Sequence, residues 1–246
     1  MAIEVFNRYE SKYLMDHRSF EEIYGRLLEY MELDEYNKGD RFYSISNIYY
    51  DTEHHLIIRS SLAKPKYREK LRIRAYGVPL SDAKVYLELK KKVFGLTNKR
   101  RTALKLNEAY DFVRTGVRPE PQPYMNKQVI QEIEYFLGRY ELHPKVYLAY
   151  DRIALFCKKN RDLRITFDTN IRSRRYDLRL ESGDHGDALI SPGQWLMEVK
   201  AEKTVPLWLA QLLSELGMFR TSFSKYGNEY RMNILNDQRI KESLLS

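Results

Sequence analysis

The sequence is short of cysteine. Of its 246 residues only Cys157 carries a thiol, so no disulfide can form within the chain and no cysteine cluster can hold a metal. Cys157 closes the apolar run Ile153-Ala154-Leu155-Phe156-Cys157, where a buried and inert thiol is expected. Long hydrophobic runs are missing too. None approaches the ~18 residues that cross a bilayer, and the start, Met1-Ala2-Ile3-Glu4-Val5-Phe6-Asn7-Arg8, lacks the apolar segment of a signal peptide. A soluble, cytoplasmic chain is the expectation. Repeats and low-complexity segments are absent, and the nearest thing to a linker is the stretch 116–123, with Pro119, Pro121 and Pro123 at alternate positions. Strand-like segments of one character flank it, so a single domain over 1–246 is expected.

What the chain does have is charge. Charged residues make up 31%, and 42 Lys+Arg against 34 Asp+Glu leave +8, which favours anionic partners: nucleic acid, phospholipid headgroups or phosphorylated small molecules. Hydrophobic residues at 43% and aromatics at 13% supply a core and exclude wholesale disorder.

Eight segments read as strands: Asn7 to Leu14, Tyr43 to Asp51, Lys70 to Tyr76, Lys84 to Lys90, Lys99 to Lys105, Lys145 to Arg152, Leu163 to Ile171 and Gln194 to Glu202. Helical stripes interrupt them at Phe20 to Leu33, Leu106 to Arg114, Tyr124 to Leu142 and Pro206 to Phe219. Many strands, segregated helices and no regular alternation of the two predict an antiparallel sheet or barrel in an α+β domain.

Successive strand residues point to opposite faces. Arg8, Glu10 and Lys12 therefore share a face, as do Lys70, Arg72 and Arg74; Tyr86, Glu88 and Lys90; Arg164, Thr166 and Asp168; and Glu198 and Lys200. A solvated sheet face alternates in the same way, but ordinary solvated strands favour Thr, Ser and Gln over Arg and Lys. Apolar opposite faces, with helices to cover them, suit an inside-out barrel of about eight strands with a charged interior. Such a lumen needs a polyanion. Arginine forks pair with phosphate oxygens, lysine adds a compact charge, and carboxylates among phosphates call for a hard divalent cation, Mg²⁺ or Mn²⁺. Lys99-Arg100-Arg101 reads as a tunnel-mouth guard or a solvated basic turn, the pair His54-His55 as exposed, and Asp168 as a metal ligand, a capping group or a partner of Arg164. The 20 tyrosines read as core packing rather than as a nucleic-acid stacking surface.

In order along the chain stand Arg8-Tyr9-Glu10-Ser11-Lys12-Tyr13, Asn47-Ile48-Tyr49-Tyr50-Asp51-Thr52, Lys70-Leu71-Arg72-Ile73-Arg74, Leu87-Glu88-Leu89-Lys90, Tyr150-Asp151-Arg152 with Arg164 downstream, Met197-Glu198-Val199-Lys200 and Ser222-Phe223-Ser224-Lys225-Tyr226. This ordered set resembles the triphosphate tunnel metalloenzyme superfamily, and within it the vacuolar transporter chaperone (VTC) domain of polyphosphate polymerase type. The resemblance implies a closed eight-stranded antiparallel β-barrel with flanking helices. Phosphate ligands are implied at Lys12, Arg72, Arg74, Lys90, Arg152, Arg164, Lys200, Ser224 and Lys225, with Arg72, Arg74, Lys90, Arg152 and Arg164 serving the transfer itself. Glu198 is implied as the principal ligand of Mn²⁺ or Mg²⁺, assisted by Glu10 and Glu88. The implied reaction moves a phosphoryl group from ATP or another nucleoside triphosphate to inorganic polyphosphate; no nucleic acid is expected. Arg8 replaces the first Glu of the Glu-x-Glu-x-Lys opening of related triphosphatases, which points to the polymerase branch. Asn47 and Tyr50 replace a Ser and a Phe, a change expected to be structural. Hydrolysis of triphosphate or nucleoside triphosphate, and binding of polyphosphate or inositol phosphate without turnover, remain as alternatives.

Overall fold

The computed structural model describes residues 9–37, 42–94, 96–202 and 204–235. Its strands and helices follow from two apolar surfaces that the alternation creates. In chain order they are β1 (Tyr9–Met15), α1 (His17–Leu27), β2 (Met31–Leu33), β3 (Tyr43–Asp51), α2 (Leu56–Leu62), β4 (Tyr67–Tyr76), β5 (Lys84–Val93), β6 (Leu96–Lys105), α3 (Leu106–Thr115), α4 (Lys127–Arg139), β7 (His143–Cys157), β8 (Arg164–Arg174), β9 (Asp187–Ala188), β10 (Trp195–Ala201), α5 (Leu207–Glu215) and α6 (Lys225–Tyr230). The eight long strands form one curled antiparallel sheet in the order β1-β10-β8-β7-β3-β4-β5-β6, while β2 adds to β7 and β9 to β8.

The expected closed barrel is corrected here: no backbone ladder joins β1 to β6, and the sheet stays open along that seam. One side-chain contact reaches from β5 to β1, and a loop hydrogen-bonds to β1. Lys90 on β5 reaches Glu10 on β1 at 3.5 Å, and the Thr221 N–H donates to the Lys12 carbonyl at 2.7 Å. Side chains and a loop hold the curl where hydrogen-bonded strands would be needed to close it.

The outer faces pack as predicted. Leu71, Ile73, Val85, Leu87 and Leu89 meet the stripes of α3 and α4, with Phe112, Ile133 and Phe136 fully buried between them. Tyr13, Ile165, Phe167, Met197 and Val199 meet α1 and α5 through Phe20, Ile23, Leu27, Leu209 and Leu212. Asp16 caps α1, its carboxylate accepting the Ser19 N–H at 2.8 Å. Cys157 is buried in this second core.

Several boundaries moved. The helix expected to run to Leu33 ends at Leu27, and Met31, the last residue of its stripe, belongs to β2; a three-residue strand shows no alternation against a helical stripe. Helices α2 and α6 were not anticipated. A third core explains them: Ile45, Tyr49, Leu148, Tyr150, Ile171 and Leu196 pack on Ile58, Phe223, Tyr226 and Tyr230, so part of the inner sheet face is apolar and seats α2 and α6. The stretch after α3 connects two helices, α3 and α4. His54 is exposed, but His55 is half-buried, edge-on to Tyr230 at 5.4 Å. No helix among the described residues is long and apolar enough to cross a membrane. Arg8 lies outside the described residues.

Asp51 ties α2 and α6 to the sheet. Fully buried at the end of β3, its carboxylate accepts the N–H groups of Thr52, Ile57 and Ile58 at 2.8–2.9 Å and the Tyr226 hydroxyl at 3.0 Å. Asp51→Ala leaves the α2 donors and a buried phenol without their acceptor. The variant is expected to lose about 3 kcal/mol in urea unfolding, since each unmet buried donor costs ~1–3 kcal/mol. A loss below about 0.5 kcal/mol would refute this anchoring role.

Candidate functional site

The inner face of the curled sheet encloses a cavity of about 620 Å³. Among the described residues, eight lysines and eight arginines line it against two carboxylates, Glu10 and Glu198. Every predicted phosphate ligand lies in the lining: Lys12, Arg72, Arg74, Lys90, Arg152, Arg164, Lys200, Ser224 and Lys225 all face this one space. The register shows why. Lys12 pairs across β1/β10 with Glu198, Lys200 across β10/β8 with Arg164, Arg152 across β7/β8 with Asp168, and Arg72 across β4/β5 with Glu88. Residues at one parity on neighbouring strands share a face, so the charged sets merge.

The carboxylates work as counter-ions. Glu198 Oε1 lies 3.2 Å from both Lys12 and Lys225, and its Oε2 accepts from Lys200 at 2.9 Å. Burial opposes its ionisation, yet Lys12, Lys200 and Lys225 hold it well below the usual carboxylate range. Glu10 contacts Lys12 at 3.3 Å and Lys90 at 3.5 Å and is likewise held down against burial, chiefly by Lys90. Glu88 lies deeper, at 1% exposure beneath the lining. Arg72 donates to its Oε2 at 2.7 and 2.8 Å and Lys99 to its Oε1 at 3.0 Å. Asp168 does not pair with Arg164. It takes a two-pronged bond from Arg152 at 2.6 and 2.8 Å and one from Lys225 at 2.5 Å, while Arg164 turns to Asp34 at 3.1 Å.

Neutral groups aim the guanidiniums. Arg72 donates to the Tyr49 hydroxyl at 2.8 Å. Arg74 donates to Asn47 Oδ1 at 2.9 Å and to the Tyr150 hydroxyl at 2.8 Å, and Asn47 Nδ2 donates to the Leu148 carbonyl at 2.9 Å. Sequence reasoning had put the tyrosines in the core; Tyr49 and Tyr150 are buried but serve the lumen, and their strand parity with Asn47 and Arg152 was the available signal. Lys99 and Arg101 also line the lumen from β6, whereas Arg100 turns outward to Glu132 at 2.9 Å, so this triplet is a strand rather than a turn.

The donor set can be weighed against the implied divalent cation. Glu10 and Glu198 are ionised, share Lys12 between them and present hard oxygens to the cavity, as Mg²⁺ or Mn²⁺ requires once phosphate oxygens draw the ammonium groups away. Glu88 does not suit it, because at 1% exposure it lies beneath the lining and presents no oxygen to the cavity. Among the described residues no three His, Cys, Asp or Glu side chains converge as a ready-made metal cage.

Lys70 is held by neutral groups, its Nζ reaching Ser224 Oγ at 3.5 Å and lying over the Tyr226 ring at 5.8 Å. Burial, then Lys90, Lys12 and Arg68, push it down to about 7. A bound polyanion favours its charged form, so inorganic triphosphate binding above pH ~7 should take up a proton, and affinity should fall as pH rises past that value. Calorimetry in buffers of different ionisation enthalpy reads the uptake directly. Lys99, which lines the same cavity and is also pushed down to about 7 by burial, shares the uptake. Lys70→Met should therefore lower it without abolishing it, and an unchanged uptake in that variant would contradict the assignment.

Comparison with known proteins accords with this arrangement. At 24% identity over 92% of its length the chain matches vacuolar transporter chaperone complex subunit 4 of Trypanosoma brucei brucei, spanning 34% of that longer protein. Among solved structures it is similar to a candidate adenylate cyclase from Bacillus halodurans, with a TM-score of 0.58 at 14% identity, covering 94% of this chain and 100% of that one. It is also similar to a candidate adenylyl cyclase from Hippeastrum described as having a dominant triphosphatase activity, with a TM-score of 0.50 at 14% identity, covering 89% of this chain and 93% of the other. Those two likenesses concern the fold. The VTC domain family itself matches residues 7–234, and the chain belongs to that family.

Proposed function

We infer that this chain is a metal-dependent phosphotransferase acting on phosphate chains, and that its reaction is the extension of polyphosphate from the γ-phosphate of ATP. The observation that carries the reading is the imbalance inside the cavity, sixteen cationic side chains against two lining carboxylates. Glu88, Asp168 and Asp34, outside the lining, offset part of it, and the cations left in excess repel one another unless a multiply charged anion lies among them. Membership of the VTC domain family and the match to a transporter-chaperone subunit support a linear phosphate polymer as that anion.

Phosphoryl transfer asks for alignment and charge neutralisation more than for covalent help. Arg72, Arg74, Arg152 and Arg164 would clasp non-bridging oxygens in pairs, and Lys12, Lys90, Lys200 and Lys225 would neutralise charge on either side of the transferred group. Their carboxylate and phenol partners fix these cations before the substrate arrives. Glu198 and Glu10 would hold Mn²⁺ or Mg²⁺, which when bound draws charge from the transferred phosphate. Localisation in the cytoplasm and a single domain over 1–246 belong to the same reading.

Hydrolysis is the second reading, supported by the triphosphatase activity in the description of the Hippeastrum protein and requiring the same cations. Incubation with ATP and Mn²⁺, followed by gel separation of long phosphate chains and a phosphate assay, separates the two. Chain growth is expected; orthophosphate without growth would replace polymerisation by hydrolysis, and tight binding without turnover would leave only a binding module. Glu198→Gln is expected to lower turnover at least about 100-fold. Its metal-free affinity for triphosphate should hold or rise, because Lys12, Lys200 and Lys225 lose an anionic competitor. A parallel loss of binding would show that Glu198 serves the fold instead.

A further inference from the structure

One end of the cavity is built differently from the rest. Along β4 the inward residues run Lys70, Arg72, Arg74 and then Tyr76, the last residue of the strand. Tyr43 opens β3 beside it, Tyr86 lies on the inward face of β5, and Tyr36 comes from the short helical turn after β2. The four rings form one cluster: Tyr36 to Tyr76 at 6.2 Å and within 12° of parallel, Tyr43 to Tyr76 at 6.0 Å and Tyr76 to Tyr86 at 5.9 Å. The Arg101 guanidinium lies over the Tyr86 ring at 4.7 Å. The opposite ends of the same strands, with the end of α2, bring Lys64, Arg68 and Lys92 to the cavity instead.

Packing does not account for this cluster. Tyr36 is 69% exposed and Tyr76 48%, whereas Tyr49, Tyr147 and Tyr150, which do serve packing or aim a guanidinium, are all under 10%. Exposed, nearly parallel rings present flat apolar faces at the rim of a phosphate-binding space. A nucleobase matches such a surface, because every base has a π-face and stacking tolerates all four. The spacing matches as well. Two residues of strand, about 6.7 Å, separate Tyr76 from Arg74. A ribose can fill that interval between a stacked base and its first phosphate.

We propose that Tyr36 and Tyr76, flanked by Tyr43, Tyr86 and Arg101, form a nucleobase platform that seats a nucleoside triphosphate with its phosphates directed inward. This inference rests on the reading of the cavity as a triphosphate site and adds to it a preference for the nucleoside and a direction of entry. The γ-phosphate then points past Arg74 and Arg72 toward Lys70, and the cationic end at Lys64, Arg68 and Lys92 faces the other substrate. Because stacking does not read base edges, ATP and GTP should bind within a few-fold of each other.

The test compares ATP with inorganic triphosphate by calorimetry on the wild type, Tyr36→Ala, Tyr76→Ala and Tyr76→Trp. Either alanine variant is expected to weaken ATP binding about 5- to 100-fold while leaving triphosphate affinity within twofold. Tyr76→Trp should retain ATP binding. Equal losses for the two ligands, or unchanged ATP affinity in both alanine variants, would overturn the platform and leave the triphosphate site standing. Failure of wild-type protein to bind either ligand would remove both readings. Tyr36 lies on an exposed turn, so its variant keeps the question answerable if Tyr76→Ala does not fold.

Discussion

The arrangement depends on how a sheet can keep many cations on its concave face. Isolated, each buried ammonium or guanidinium would carry a desolvation penalty that its fold could not offset. Here Asp34 pairs with Arg164, and four further carboxylates distribute the rest of the compensation. Glu198 stands among Lys12, Lys200 and Lys225; Asp168 joins Arg152 to Lys225; Glu88 joins Arg72 to Lys99; and Glu10 links Lys12 to Lys90. Lys225 belongs to two of these groups and comes from α6, so the helix and the strands are welded by one ammonium. The compensation is incomplete: Lys70 meets the Ser224 hydroxyl and the face of the Tyr226 ring, both neutral. What remains uncompensated is the site's affinity for anions.

Carboxylates and phenols divide the work of orientation. A carboxylate lowers the cost of a neighbouring cation but competes with phosphate for it. A phenol or amide aims a guanidinium without competing. Tyr49 and Asn47 do this for Arg72 and Arg74, and Tyr150 does it for Arg74 from the neighbouring strand. Asn47 does it with one end while its other end bonds β7, which gives a physical reason for an amide at that position. Burial pushes the Tyr49 phenol up, but Arg72 and Arg74 outweigh it and hold the group below its ordinary value, a sign of how strong their field is.

Strand parity was readable because it is local. Glu10, Lys12, Arg72, Arg74, Lys90, Arg164, Glu198 and Lys200 could each be placed on an inward face from two-residue alternation alone, and the structure brings them to one cavity. Partner choice was not readable, since it depends on the stagger between strands distant in sequence. The sequence leaves Asp168 open between metal ligand, cap and partner of Arg164, four residues away on its own strand, whereas the register places Arg152 opposite it. Helix α6 escaped for another reason. Its six residues, Lys-Tyr-Gly-Asn-Glu-Tyr, have no amphipathic stripe, and its helicity rests on the Ser224 cap, the Asp51–Tyr226 bond and burial against the inner sheet. Closure of the barrel was an expectation from kinship and strand number, and neither fixes whether two edge strands meet.

That open edge has a consequence for the width of the bore. In a sealed barrel the number of strands and their stagger set the radius in discrete steps, because every ladder must come round to register with itself. A sheet whose first and last strands share no ladder is free of that condition. Its radius is set continuously, by helices pressing on the convex side and by ion pairs such as Glu10–Lys90 across the gap. The calibre of this channel is thus an electrostatic quantity as much as a topological one, and it belongs to the same charges that receive the anion.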